Sequence, residues 1–136
     1  MRIFLDANIL FSAAKSDGAV RRLLVLLQQG GHQCVVDAYV VEEARRNIVA
    51  KAPGGSAFLA ELVAGMERAR MLPVDSILDA TLPLPPKDRP VLSAAIRHRC
   101  AILVTGDKRH FGGLFGTAVR GVAIHSPRSL AELLLP

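Results

Sequence analysis

Short apolar runs that end in an aspartate recur along this chain, each followed by residues with helical spacing. Arg2–Leu5 runs into Asp6, Gln33–Val36 into Asp37, and residues 101–105 into Gly106-Asp107. Val122–His125 reads as a last strand, without an aspartate after it. Between them, Val20, Leu23, Leu24 and Leu27 recur as on one helix face, predicting a helix over residues 17–29 that Gly30-Gly31 stops. Residues 39–50 read as a second helix, broken at Pro53-Gly54-Gly55. Ser56 is expected to cap a third, running to about Arg70. Pro90 suits the first turn of a helix reaching about Arg99, and residues 129–134 close the chain as another. The segment just after Asp6 reads as a loop. Residues 72–87, with Pro73, Pro83, Pro85 and Pro86, read as an irregular connection holding a short extended piece around Val74. Strands alternating with helices predict an α/β fold, a three-layer α/β/α arrangement with a central parallel sheet of four to five strands. Such sheets bind ligands beyond the carboxyl ends of their strands, where strand order switches direction. Asp6 and Asp107 are expected at that edge.

A length of 136 residues fits one domain, 1–136, and a chain of this size buries roughly 68% of its unfolded surface. No apolar run reaches the ~20 residues of a membrane span. The start, Met1-Arg2-Ile3-Phe4-Leu5-Asp6, turns acidic too soon for a signal peptide, so a cytoplasmic protein is expected. Cys34 and Cys100 lie in aliphatic surroundings and read as buried free thiols. His32, His98, His110 and His125 show no zinc-ligand spacing. The formal charge of +5 favours an anionic partner, nucleic acid being the commonest. Pairs such as Arg21-Arg22, Arg45-Arg46 and Lys108-Arg109 are equally compatible with solvated helix faces.

The acids are unevenly placed. Asp6 follows the first strand, Glu43 lies just inside the second helix, Asp88 stands before Arg89-Pro90, and Asp107 ends Leu103-Val104-Thr105-Gly106. Singly, each has a structural explanation: a cap for Asp6 or Asp88, a turn for Asp107, an exposed helix position for Glu43. Gathered at one sheet edge, they would repel one another unless a cation sat among them. Magnesium and manganese, hard ions that prefer oxygen, suit such a cluster. An ion held this way can activate water, orient a phosphate and neutralise charge on the leaving oxygen. Neither a nucleophile–His arrangement nor a glycine-rich phosphate loop competes with this reading.

Four segments carry a resemblance: Ile3-Phe4-Leu5-Asp6-Ala7-Asn8-Ile9-Leu10, Val40-Val41-Glu42-Glu43-Ala44-Arg45-Arg46-Asn47, Lys87-Asp88-Arg89-Pro90-Val91-Leu92-Ser93-Ala94-Ala95, and Ile102-Leu103-Val104-Thr105-Gly106-Asp107-Lys108-Arg109-His110-Phe111. In this order and at these intervals the chain resembles the PIN-domain nucleases, among them the VapC-type toxins of bacterial toxin–antitoxin pairs. The resemblance implies RNA cleavage that requires Mg2+ or Mn2+, with Asp6, Glu43, Asp88 and Asp107 as the acidic quartet and metal ligands. It implies that Asn8 supports the first carboxylate and that Thr105 supplies a hydroxyl beside the last. Glu42 is the alternative to Glu43 should the register slip by one. Arg89 and Lys108, with Arg45 and Arg109, are candidates by position for holding the RNA backbone. A homodimer and a separate antitoxin chain are the implied partners, and Leu130, Leu133 and Leu134 either complete the core or join such a dimer. The residues between Ala52 and Asp79 carry no diagnostic motif.

Two other enzyme classes fail on single residues. A haloacid-dehalogenase-like phosphatase needs a general-acid aspartate where Asn8 stands, and an amide cannot donate that proton. A receiver domain needs an acidic pair where Ala7 offers none. The remaining alternative is a non-catalytic basic RNA-binding or interaction module whose acids are structural.

Overall fold

The computed structural model describes residues 1–135. Its strands are β1 (Arg2–Leu5), β2 (Gln33–Val36), β3 (Glu67–Arg68), β4 (Ile102–Val104), β5 (Ala118–Val119) and β6 (Val122–His125). They form one sheet in the order β3-β2-β1-β4-β6-β5, parallel throughout except for the β5–β6 pair. The helices are α1 (Ala7–Lys15), α2 (Ala19–Gln29), α3 (Ala38–Lys51), α4 (Ser56–Ala64), α5 (Ser76–Ala80), α6 (Arg89–Arg97), α7 (Lys108–Phe111) and α8 (Pro127–Leu134). The α/β fold with a mostly parallel sheet flanked by helices is the one expected, with two-residue strands at both edges bringing the sheet to six.

Successive side chains of a strand point to opposite faces, so a strand buried at every position is covered on both. Ile3, Phe4 and Leu5 of β1 and Ile102, Leu103 and Val104 of β4 are all within 3% of full burial. These two strands are the centre of the molecule. From β1 the chain moves outward to β2 and β3 on one side, then returns to lay β4 and β6 on the other. The switch in direction therefore falls between β1 and β4, whose carboxyl ends lead into Asp6 and into Thr105-Gly106-Asp107.

Several local expectations are corrected. The supposed loop after Asp6 is helix α1, because Ala7, Ile9, Leu10, Ala13 and Ala14 share a face that is buried against α2, α3 and α4. Arg21 closes its far end, donating from Nε to the Ala13 carbonyl at 2.8 Å while its guanidinium lies 3.7 Å above the Phe58 ring. The third helix stops at Ala64 rather than near Arg70, since Gly65 ends it and Glu67–Arg68 then pairs with β2. The short extended piece thus lies at 67–68 and not around Val74. Ser56 is the first residue of α4 and makes no cap; Gly55 precedes it, 2.7 Å (measured from where a Cβ would stand) from the Ala14 carbonyl oxygen, so α1 and α4 meet where no side chain fits. Residues 72–87 hold one short helix, α5, capped by Asp75 accepting from the Leu78 amide. At the C-terminus, Leu130 completes the core whereas Leu133 is exposed.

Cys34 and Cys100 are buried and unbridged, and burial pushes both thiols up to about 11. Among the described residues no helix is long and apolar enough to cross a membrane.

Candidate active site

A cleft of about 320 Å³ opens at the carboxyl ends of β1 and β4. Asp6, Glu43, Asp88 and Asp107 all line it, together with Asn8 and Asn47. Phe11, Tyr39, Val91, Lys51 and Lys87 complete the lining. The four acids come from four segments: the end of β1, the second turn of α3, the start of α6 and the start of α7.

Asp6 is the most constrained. It is buried, and its Oδ1 accepts from the Ala7 amide at 2.7 Å while Oδ2 accepts from the Thr105 hydroxyl at 2.8 Å. Asn8 ties the two strand ends together. Its Nδ2 donates to Asp6 Oδ2 at 3.3 Å and to Thr105 Oγ1 at 3.2 Å, and its Oδ1 accepts from the Gly106 amide at 2.8 Å. Thr105 is fully buried and also accepts from the Asp107 amide at 3.1 Å. Burial pushes the Asp6 carboxyl up to about 6, opposed by the Thr105 and Ala7 hydrogen bonds and reinforced by the charges of Glu43 and Asp88. The same field reaches Tyr39, whose phenol is raised first by burial and then by Glu43, Asp88 and Asp6. The Tyr39 hydroxyl donates to the Lys87 carbonyl at 3.0 Å, pinning α3 to the residue before Asp88.

Asp107 caps α7, its Oδ1 accepting from the amides of Arg109 and His110, both at 3.1 Å. Asp88 occupies the position before α6 but makes no cap hydrogen bond. Its Oδ2 is buried and has no hydrogen-bond partner. His110 Nδ1 lies 3.0 Å from that oxygen, out of hydrogen-bonding alignment, and 3.0 Å from Asp107 Oδ2, to which it is hydrogen-bonded. A buried carboxylate oxygen without a donor is a costly arrangement that a cation relieves. The donor set of hard oxygens also fits a divalent ion. Asp88 and Asp107 each offer a carboxylate oxygen and His110 a ring nitrogen, all within 4.8 Å of one another.

The structure separates Glu43 from Glu42. Glu43 lines the cleft, whereas Glu42 is held on the exposed face of α3 by Arg45, whose Nε donates to it at 2.9 Å and lowers its carboxyl. The cations suggested by position are not the ones at the cleft. Arg89 donates from Nε to the Leu84 carbonyl, Arg45 is paired with Glu42, and Lys108 lies beside Phe115 and Arg128 instead. Arg109 is exposed and does not line the cleft. Sequence reasoning missed Lys51, Lys87, Tyr39, Asn47 and His110. For His110 a signal existed: an interval of three from Asp107 at a helix start places both side chains on one side of the first turn. Lys51 is eight positions beyond Glu43 on the same helix and so shares its face.

No curated protein matched the chain in a sequence search. Among solved structures, a chain from the crystal structure of VapBC2 from Rickettsia felis bound to a DNA fragment from their promoter is similar in fold, with a TM-score of 0.63. The match covers 93% of this chain and 98% of that one at 16% identity. The family model for the PIN domain matches residues 2–109, a span that includes all four carboxylates of the cleft. The chain therefore belongs to the PIN-domain family, whose members are generally nucleases.

Proposed function

We propose that this protein is a metal-dependent endoribonuclease that cleaves RNA phosphodiester bonds, and that it acts as the toxin of a type II toxin–antitoxin pair. The observation that carries the proposal is the convergence of four carboxylates from four segments on one cleft, with the buried Asp88 oxygen left without a donor. Asp6, Glu43, Asp88 and Asp107 would hold Mg2+ or Mn2+. When bound, such an ion polarises the scissile phosphate, activates water and neutralises charge on the leaving oxygen.

The chain's own residues supply the remainder. Thr105, Asn8 and the Ala7 amide fix the Asp6 carboxylate in one orientation, so no reorganisation is needed when substrate arrives. Lys51 and Lys87 at the rim hold the RNA backbone by charge. Phe11 and Tyr39 add aromatic surface to the same cleft. An antitoxin chain covering the acidic cleft and a homodimer belong to this reading. The likeness to a chain of the VapBC2 assembly supports the former.

The test is cleavage of a mixed RNA pool with and without Mg2+ or Mn2+, alongside Asp107→Asn. Metal-dependent cleavage that the substitution abolishes is the expected result. Absence of cleavage, with no thermal shift on adding metal, would instead identify a non-catalytic RNA-binding module. A companion expectation concerns the rim. Lys51→Ala and Lys87→Ala should each weaken RNA binding and reduce the slope of log affinity against log salt by about 0.7 for a single strand. Arg89→Ala should leave that slope unchanged, since its side chain is turned to the Leu84 carbonyl and does not line the cleft. Equal slope changes for all three variants would remove Lys51 and Lys87 from the binding surface.

A further inference from the structure

One further side chain lies against two of the cleft's carboxylates. His110 projects from α7 with its Nδ1 at 3.0 Å from Oδ2 of both Asp88 and Asp107. The Asp107 contact is a hydrogen bond, and the Asp88 contact is a close approach of imidazole and carboxylate without one. The Asp88 oxygen has no hydrogen-bond partner despite lying that close. Adjacent donors on an octahedron with bonds of about 2.1 Å stand about 3.0 Å apart. Both His110 distances are compatible with that edge, as they are with ordinary N–H···O contacts.

Resting on the proposed metal-dependent activity, we infer that His110 ligates the divalent ion through Nδ1, beside Asp88 and Asp107, and that this nitrogen biases the site toward transition ions over magnesium. Without an ion, Nδ1 carries the proton that it donates to Asp107; ligation takes the tautomer protonated on Nε2, whose Nδ1 lone pair faces the ion in place of that hydrogen bond. Magnesium demands oxygen donors and sheds water reluctantly, so an imidazole does little for it, whereas transition ions accept imidazole readily. The side chain is in place before any ion arrives. Asp107 accepts the amides of Arg109 and His110, which fixes the first turn of α7, and the adjacent Phe111 is buried in the core. The other three histidines are engaged elsewhere: His32 with the N-terminal amine, His98 with the Arg70 carbonyl, and His125 with Ser129.

The test loads the purified protein with Mn2+ and reads pulsed electron paramagnetic resonance. The expected spectrum shows hyperfine coupling to a directly bound imidazole nitrogen, absent in His110→Gln. In parallel titrations with each metal alone, His110→Gln should weaken Mn2+ binding about tenfold and Mg2+ binding less than about threefold. Bound Mn2+ without imidazole coupling in the wild-type protein overturns the inference, and needs no variant to fold. Equal losses for the two ions overturn it as well. If RNA is cleaved with Mn2+ but no nitrogen coupling appears, His110 alone falls and the nuclease reading stands. If the wild-type protein binds no Mn2+, both fall together.

Discussion

Asp6→Asn is expected to lower metal-dependent RNA cleavage by on the order of 10²-fold or more while making the metal-free protein more stable at neutral pH. The two effects share a cause. The Asp6 carboxyl is raised from 3.8 to about 6, chiefly by burial. Below the unfolded value it is protonated in both states and costs nothing. As pH rises from about 4 to 6 the unfolded chain releases this proton and the folded one retains it, so folding loses stability across that window. At pH 7 the loss is complete, roughly 2–3 kcal/mol from the size of the shift. Asparagine removes the charge and keeps an acceptor for the Ala7 amide, but presents an NH2 group where Oδ2 accepted from Thr105 and Asn8. That misfit costs about 1 kcal/mol, leaving a net gain of about 1–2 kcal/mol at pH 7 and a loss of about 1 kcal/mol near pH 4. Added metal should reverse the order, because an ion bound only by the folded wild type at 100 times its Kd contributes about 2.7 kcal/mol. Denaturant melts at pH 4 and pH 7, with chelator or with Mn2+, check all of this. A variant less stable than wild type under chelator at pH 7 would show that Asp6 is held by its hydrogen bonds and not strained by its burial.

Phe111→Ala should destabilise the protein by about 3–5 kcal/mol, a large share of the ~5–15 kcal/mol that holds a domain together. Phe111 is fully buried and is the only buried residue of the four in α7. It anchors a helix too short to stand by its own hydrogen bonds, and that helix carries the Asp107 cap and His110. Cleavage should accordingly fall further than the population of unfolded protein explains, because Asp107 loses its fixed orientation. Unfolding by denaturant and cleavage assays at a temperature where the variant is fully folded separate the two contributions. A cost below about 1 kcal/mol would mean that α7 is held from outside the core.

The centre of the sheet and the acidic cleft were legible from the order of the residues because both depend on patterns that repeat. Ile3-Phe4-Leu5 and Ile102-Leu103-Val104 are continuous apolar runs, as strands buried on both faces require. Each ends in a residue the parallel topology must deliver to the same edge. Glu43 was distinguishable from Glu42 only by the apolar spacing of Val40 and Ala44, and the structure seats both of those in the core. Helix α1 was missed because its buried face is built from small residues, Ala7, Ala13 and Ala14, around Ile9 and Leu10. The strand at Glu67–Arg68 was invisible because two charged residues carry no apolar period; its place comes from pairing with β2 and from the Arg2 Nη2–Glu67 hydrogen bond at 2.8 Å. The cleft cations illustrate a different limit. Arg89 and Lys108 neighbour the cleft acids in the chain but point elsewhere, whereas Lys51 and Lys87 are brought in by helix geometry and by a loop that Tyr39 pins.

Asn8 and Thr105, joined by a hydrogen bond across 97 positions of chain, have a consequence for the moment of synthesis. At roughly 5–20 residues per second, the interval between them takes on the order of 5–20 s to translate. Throughout it Asp6 has no hydroxyl partner, β1 has no β4 beside it, and the last carboxylate does not exist. With the proposed activity, a growing chain cannot cut the message that encodes it until the segment around Asp107 has left the ribosome. The switch point that places the site at the middle of the sheet also makes it among the last parts of the molecule to be assembled.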